Sequence, residues 1–473
     1  MRRGVKAYFA ANMVAQGVAL LRFIILARLL GAEELGLAAM LILTSQFFQA
    51  ISDTGSDRFL VQDDGGDSPS MQGFVQFVLS LRGLLIGLAL VLFSGLAAQL
   101  YREPQLAGSL MALGLAPLIG GFIHLDFRRV QRDGDFRPES IGIIVSEVLS
   151  LVANVAAAYV TRDHTSVVYG LVVRSLLLVI ISHITATRPY RWAWNREEGL
   201  RFSRFAAPLF LNGLLLFIGS QGDRLLVGTS LGATALGHYS AILLLIYYPT
   251  GVLIRFLAVT ALPQLAAARG EPARFQREAS RFGGRTTLMA LGVAAGFALV
   301  APIFTPIFYG KSFAQPLVIF ALIGALQSAR FLRVWPTTIA NGIGRSMVIL
   351  LNNVGRMVAV PIALLANAEF HTLEAIVIGF IGGEIVAMLV ALWLLQRAGA
   401  LSLRRELIRI ALFLAGCTAI SGAAWSLQAG NYVLSLAFGA GGLVVAAVVL
   451  RMEREVLGEL ITMARRRLLP RKA

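Results

Sequence analysis

Cysteine is nearly absent: 473 residues contain one, Cys417, so no intramolecular disulfide forms and no cysteine cluster can hold a metal. Charge is scarce too, at 14% of residues against 57% hydrophobic, which removes the chain from the soluble class despite a length that would fill two or three soluble domains. Between residues 7 and 451 there is no polar stretch long enough for a soluble domain. The five His are scattered without metal spacing. YGKS at 309–312 resembles the end of a phosphate loop, but Thr305 stands where that motif needs its first Gly, so no nucleotide site follows.

What remains is a series of apolar runs, each about 20 residues long and so able to cross about 30 Å of hydrocarbon as helix. Candidate spans fall at 7–29, 36–57, 73–98, 106–127, 139–160, 165–187, 205–229, 236–262, 286–308, 315–340, 346–366, 373–396, 406–427 and 432–451, about fourteen in all. The sequence therefore predicts an all-α integral membrane protein. The first span follows Arg2, Arg3 and Lys6 but is too long for a signal-peptide core and carries Arg22, so it is read as retained.

A net charge of +16 suggests nucleic acid until the charges are placed. With the N-terminus inside, only Arg28, Arg102, Arg162 and Lys311 of the 42 Lys and Arg fall outside, eight fall within spans, and the rest face the cytoplasm. That is the positive-inside asymmetry, and it makes basicity a matter of topology, with no nucleic-acid partner. The loop at 58–71 is the exception, with Asp63, Asp64 and Asp67 where basic residues are expected.

LGAEELG at 30–36 returns as LGATALG at 231–237, and LYREPQLA at 100–107 finds a counterpart in FYGKSFAQ at 308–315. These matches predict two six-helix repeats, residues 1–200 and 201–400, followed by two additional helices and a basic cytoplasmic tail at 401–473. Six is even, so the repeats run parallel, with a pseudo-two-fold along the membrane normal. Transporters built this way place substrate between the halves and alternate access by rocking. Gly31 and Gly36, like Gly232 and Gly237, are read as tight-turn residues.

A charge at the bilayer centre costs about 2.5 to 3.5 kcal/mol, so those retained there face a cavity or a partner. Eight basic residues lie within spans: Arg22, Arg82, Arg174, Arg224, Arg255, Arg330, Arg333 and Arg356. Arg82, Arg255 and Arg330 are read as snorkelling to the headgroups. Arg22, Arg174 and Arg356 sit deeper, lining a cavity or paired with Glu147 or Glu384. Arg22 and Asp223 match between helices 1 and 7, and Arg174 and Glu384 nearly match between helices 6 and 12, so each pair is a candidate gate. The basic surplus suits an anionic substrate such as a phosphate or acidic sugar, because Arg matches phosphate oxygens bidentately. Asp223, Glu147 and Glu384 are candidates for ion coupling or gating, with an ion gradient as the energy source and no bound cofactor.

RFIILARLLGAEELGLAAM at 22–40, QGDRLLVGTSLGATALGHYS at 221–240 and YPTGVLIRFLAVTALPQLA at 248–266 resemble the Wzx-like flippases of bacterial polysaccharide export, in the multidrug/oligosaccharidyl-lipid/polysaccharide superfamily. The resemblance implies two six-helix lobes plus two helices in the bacterial cytoplasmic membrane, both termini cytoplasmic. It also implies a polyprenyl-diphosphate-linked oligosaccharide moved to the outer leaflet, membrane lipids and other polysaccharide-assembly proteins as partners, and no enzymatic step. The headgroup would then meet Arg22, Arg174, Arg356, Arg224 and Arg255. Lipid II flippases share the turn Ala27–Ala32 and Arg22, but follow that Arg with an acid where this chain has Phe23. A multidrug exporter, the nearest alternative, has acidic lumen residues and usually twelve helices. A polysaccharide polymerase or ligase needs a sizeable external loop, and here loops such as 161–164 and 428–431 are short.

Overall fold

The computed structural model describes residues 2–459 and 462, so most of the expected basic tail lies outside the described residues. Every regular element among them is helical. Backbone contacts divide the chain into two compact units, residues 1–241 with 308–312, and 242–307 with 313–473.

The first unit contains α1 (Arg2–Ile51), α2 (Ser56–Gln62), α3 (Pro69–Leu92), α4 (Ser94–Tyr101), α5 (Leu106–Leu113), α6 (Leu115–Gly120), α7 (Asp126–Arg132), α8 (Arg137–Thr161), α9 (Thr165–Ile184) and the first part of α10 (Arg196–Ala267). The second holds the rest of α10, most of α11 (Pro272–Tyr309), α12 (Leu317–Leu332), α13 (Val334–Gly342), α14 (Ser346–Arg356), α15 (Ala359–Phe370), α16 (Leu373–Arg397), α17 (Leu403–Gln428) and α18 (Tyr432–Met452). Caps mark several starts: the Ser68 side chain accepts from the Met71 N–H ahead of Pro69, and Thr372 accepts from Ala375.

Eleven helices among the described residues are long and apolar enough to cross a membrane. One of them, Ala7–Ile51, has 45 residues, about 68 Å at about 1.5 Å per residue and more than twice the hydrocarbon thickness. It breaks at Gly31 (φ 82°, ψ −177°) into two crossings, and Arg196–Ala267 breaks likewise at Gly232 (φ 85°, ψ −177°). With the shorter apolar helix Leu106–Gly120, the total agrees with the expected count of about fourteen.

The repeat is visible in the backbone. Left-handed residues recur at Gly31 and Gly232, Arg102 and Gly310, Gly134 and Gly344, and Arg162 and His371. The separation grows from 201 to about 209 along the chain, as the sequence matches already suggested. Gly36 and Gly237 do something other than turn the chain. A Cβ on Gly36 would stand 1.8 Å from the Ala233 carbonyl oxygen, and one on Gly237 would stand 1.8 Å from that of Ala32. The matched turns thus pack reciprocally, each glycine admitting the other turn's backbone.

Pairing accounts for the acidic loop. Asp63 binds Arg201 at 2.6 Å and Asp67 binds Arg188 at 3.1 Å, while Arg132 donates to the Leu60 carbonyl at 2.8 Å. Its carboxylates are counterions for basic segments brought beside it. In the second unit, Arg409 is almost fully buried, with Glu453 at 2.7 Å and Glu406 and Ser280 also bound. This network ties α17 and the chain after α18 to α11, beside a core containing Trp335, Phe331 and Phe413.

Candidate functional site

Glu147 projects from α8, where it is buried with Ser146 and Ser150. Arg22 of α1 donates from Nη2 to its Oε2 at 2.7 Å, and Arg174 of α9 donates from Nε to its Oε1. One carboxylate is therefore shared by two guanidinium groups from different helices, leaving the trio with one net positive charge. Exposure grades outward, from 9% for the Glu147 side chain to 15% for Arg22 and 38% for Arg174.

The second unit repeats the device with more cations. Glu384 of α16, its side chain 4% exposed, receives Arg356 of α14 at 2.7 Å, Arg333 at 2.9 Å and Arg330 of α12 at 3.5 Å. Three guanidinium groups meet one carboxylate, so this cluster carries two net positive charges. Removing ions from water costs several kcal/mol each, and mutual attraction offsets that only with close geometry such as this. Both carboxylates hold arginines inside the protein at depths where arginine is otherwise rare.

The two clusters are related with inverted sign. Glu147 is the eleventh residue of the span Arg137–Thr161, and Arg356 is the eleventh of Ser346–Phe370. Their partners, Arg174 and Glu384, sit in the span that follows each, Thr165–Ile184 and Leu373–Arg397. Acid then base in one repeat becomes base then acid in the other.

The structure joins Arg22 and Arg174 through Glu147, and Arg356 with Glu384, which are the ion pairs that the sequence left beside the cavity reading. Arg224 is buried at a separate place, held by Ser240 and by Gln221 at 3.2 Å. Its neighbour Asp223 is fully buried and accepts from the Tyr239 hydroxyl. Arg255 occupies an exposed position on α10.

One snorkelling assignment is corrected. Arg330 turns inward to Glu384. Arg82 donates to the Ser52 hydroxyl and the Gln49 carbonyl at the C-terminal end of α1. Arg330 and Arg333 were the larger omission. They stand three apart on one helical face, and that spacing was the available signal.

The fold is multi-pass and, among the described residues, all-helical, with arginine–carboxylate clusters buried between apolar helices, and solved structures of membrane transporters share it. The solved structures that share the fold include the lipid II flippase MurJ in an inward closed conformation, with a TM-score of 0.69 and 13% identity, covering 95% of this chain and 99% of that one. An inward-facing multidrug resistance MATE family transporter follows at 0.66 and 17%, covering 81% and 94%. Residues 25–317, more than half the chain, match the family described as polysaccharide biosynthesis protein, and the chain belongs to that family.

Among curated proteins, the succinoglycan biosynthesis transport protein ExoT of Rhizobium meliloti (strain 1021) is 28% identical over 221 residues, 46% of this chain and 44% of that protein. The amylovoran biosynthesis protein AmsL of Erwinia amylovora is 23% identical over 268 residues, 54% and 68%. The first match thus spans less than half of that relative's length. The relatives are named for polysaccharide biosynthesis, one of them for transport, and the structural neighbours are a flippase and a multidrug transporter.

Proposed function

We propose that the chain is a flippase that moves a polyprenyl-diphosphate-linked oligosaccharide from the inner to the outer leaflet of the bacterial cytoplasmic membrane for surface polysaccharide assembly, both termini cytoplasmic. The carrying observation is the surplus of guanidinium over carboxylate at both buried clusters, Arg22–Glu147–Arg174 and Arg330–Arg333–Arg356–Glu384. In a low-dielectric setting such a surplus favours a diphosphate and disfavours the cations that multidrug exporters carry. Family membership and the names of the relatives, which concern succinoglycan and amylovoran, point to exopolysaccharide.

In this mechanism the repeats at 1–200 and 201–400 alternate access, with 401–473 appended to the second. The polyprenyl tail stays in lipid while Arg22, Arg174 and Arg356 neutralise the headgroup, and Arg224 and Arg255 add positive potential along its route. No bond is broken. An ion gradient drives the cycle, with Glu147, Glu384 and Asp223 as the groups able to take up or release an ion. Membrane lipids and other polysaccharide-assembly proteins are its partners.

The test is mass spectrometry of polyprenyl-linked lipids from cells with and without the protein, alongside their surface polysaccharide. Accumulation of one diphosphate-linked oligosaccharide with loss of the polymer is the expected result. An unchanged lipid profile with intact polymer would remove the proposal.

A further inference from the structure

The first unit contains a cavity of about 230 Å³ among α1, α3, α5, α6 and α9 that the charge reading of the sequence did not anticipate. Two cations line it, Arg82 from α3 and Arg174 from α9, together with the polar side chains of Ser45, Gln49 and Ser175; none of its lining residues is acidic. Both arginines are mid-helix, Arg82 fourteenth of 24 residues and Arg174 tenth of 20. Close helix packing shapes the wall: a Cβ on Gly83 would stand 2.5 Å from the Pro117 carbonyl oxygen, which brings Arg82 up against α6.

Each arginine is held in place before any ligand arrives. Arg82 donates through Nε to Ser52 and through Nη2 to the Gln49 carbonyl. Arg174 uses Nε on Glu147, and that carboxylate is shared with Arg22, so the trio keeps a positive charge. Arg174 is also the most exposed member of the trio. Preorganised donors with residual positive charge, between apolar helices and without an acid on the cavity wall, are the arrangement that binds an oxyanion.

Resting on the flippase reading, we infer that this cavity is an oxyanion subsite within the first unit, in which Arg82 and Arg174 together receive a phosphate of the carried headgroup. Arg82 is the residue added to the binding set, and Glu147 is a positioning residue that aims Arg174. The cavity suits a phosphate and is too small for an oligosaccharide, so the sugars stay outside it.

The experiment uses the full-length protein in lipid nanodiscs, titrated with a polyprenyl diphosphate carrying no sugar, with inorganic pyrophosphate as competitor and a neutral polyprenol as blank, and binding read by native mass spectrometry. Arg82→Gln weakens polyprenyl diphosphate binding about tenfold or more, the usual loss for a hydrogen bond to a charged group. Exposed Arg404→Gln leaves it unchanged. Ser175→Glu, which adds a carboxylate to the wall, gives a similar loss and serves if Arg82→Gln misfolds. Competition by pyrophosphate supports recognition of the phosphates themselves. Displacement by polyprenol, or wild-type binding by both folded variants, overturns the subsite. If those variants bind normally while the wild type still flips the lipid, the subsite alone fails; if the wild type binds no polyprenyl diphosphate, the flippase reading fails with it.

Discussion

Glu147 and Arg356 hold the same position in corresponding helices of the two repeats and carry opposite charges. Each is paired with a residue of the next span, Arg174 for Glu147 and Glu384 for Arg356. One repeat therefore displays an arrangement that the other has reversed, and the reversal can be tested directly. Glu147→Arg alone sets three guanidinium groups together and should lower the melting temperature. Adding Arg174→Glu recreates the order of the second repeat and should recover much of the stability, measured by thermal unfolding of the purified protein. A double variant no more stable than the single one would refute the equivalence.

Glu384 has the heavier task, since Arg330, Arg333 and Arg356 all converge on it. Glu384→Gln should destabilise the protein by about 3 to 5 kcal/mol, because buried positive charges lose their common counterion. Further substitution of Arg356→Gln should recover part of the loss. Chemical unfolding of the wild type and both variants checks this.

Gly237→Ala is expected to be far more costly than its size suggests. Its new methyl group would collide with the backbone of Ala32, which cannot swing aside as a side chain can. Gly17→Ala, with open space around its Cβ position, should be nearly silent. Melting temperatures measured for both separate the two cases.

Asp126, at the start of α7, supplies a pH test outside the spanning helices. Burial pushes its carboxyl up, but hydrogen bonds from Arg129 and from the Thr187 backbone and hydroxyl outweigh that and hold it well below the usual range. A depressed carboxyl stabilises the fold above its unfolded value of about 4, and that contribution is lost as pH falls further through the folded value. Asp126→Asn should lower the melting temperature at pH 7 and flatten the decline below about pH 4. An acid limb identical in the two proteins would disprove the assignment.

Much of this was legible from residue order, for reasons that differ by position. The breaks at Gly31 and Gly232 were marked by the repeated LGA, because a left-handed backbone restricts the choice of residue. The equivalence of Glu147 and Arg356 was hidden, since the separation drifts from 201 to 209 and the residues share no chemistry. The depth of Arg330 was misjudged because a partner on another helix drew it inward. The function of Asp63 and Asp67 could not be read locally, since their partners Arg201 and Arg188 lie more than a hundred residues away.

The lone cysteine has a use beyond what it rules out. Cys417 is buried in α17, out of easy reach of aqueous thiol reagents, so the natural chain is close to a blank background for labelling. Glu33→Cys and Thr234→Cys would place two probes on exposed positions of the reciprocal turns, where Gly36 and Gly237 admit each other's neighbour. A spin-label distance across that seam would measure the separation of the two turns in an otherwise native molecule.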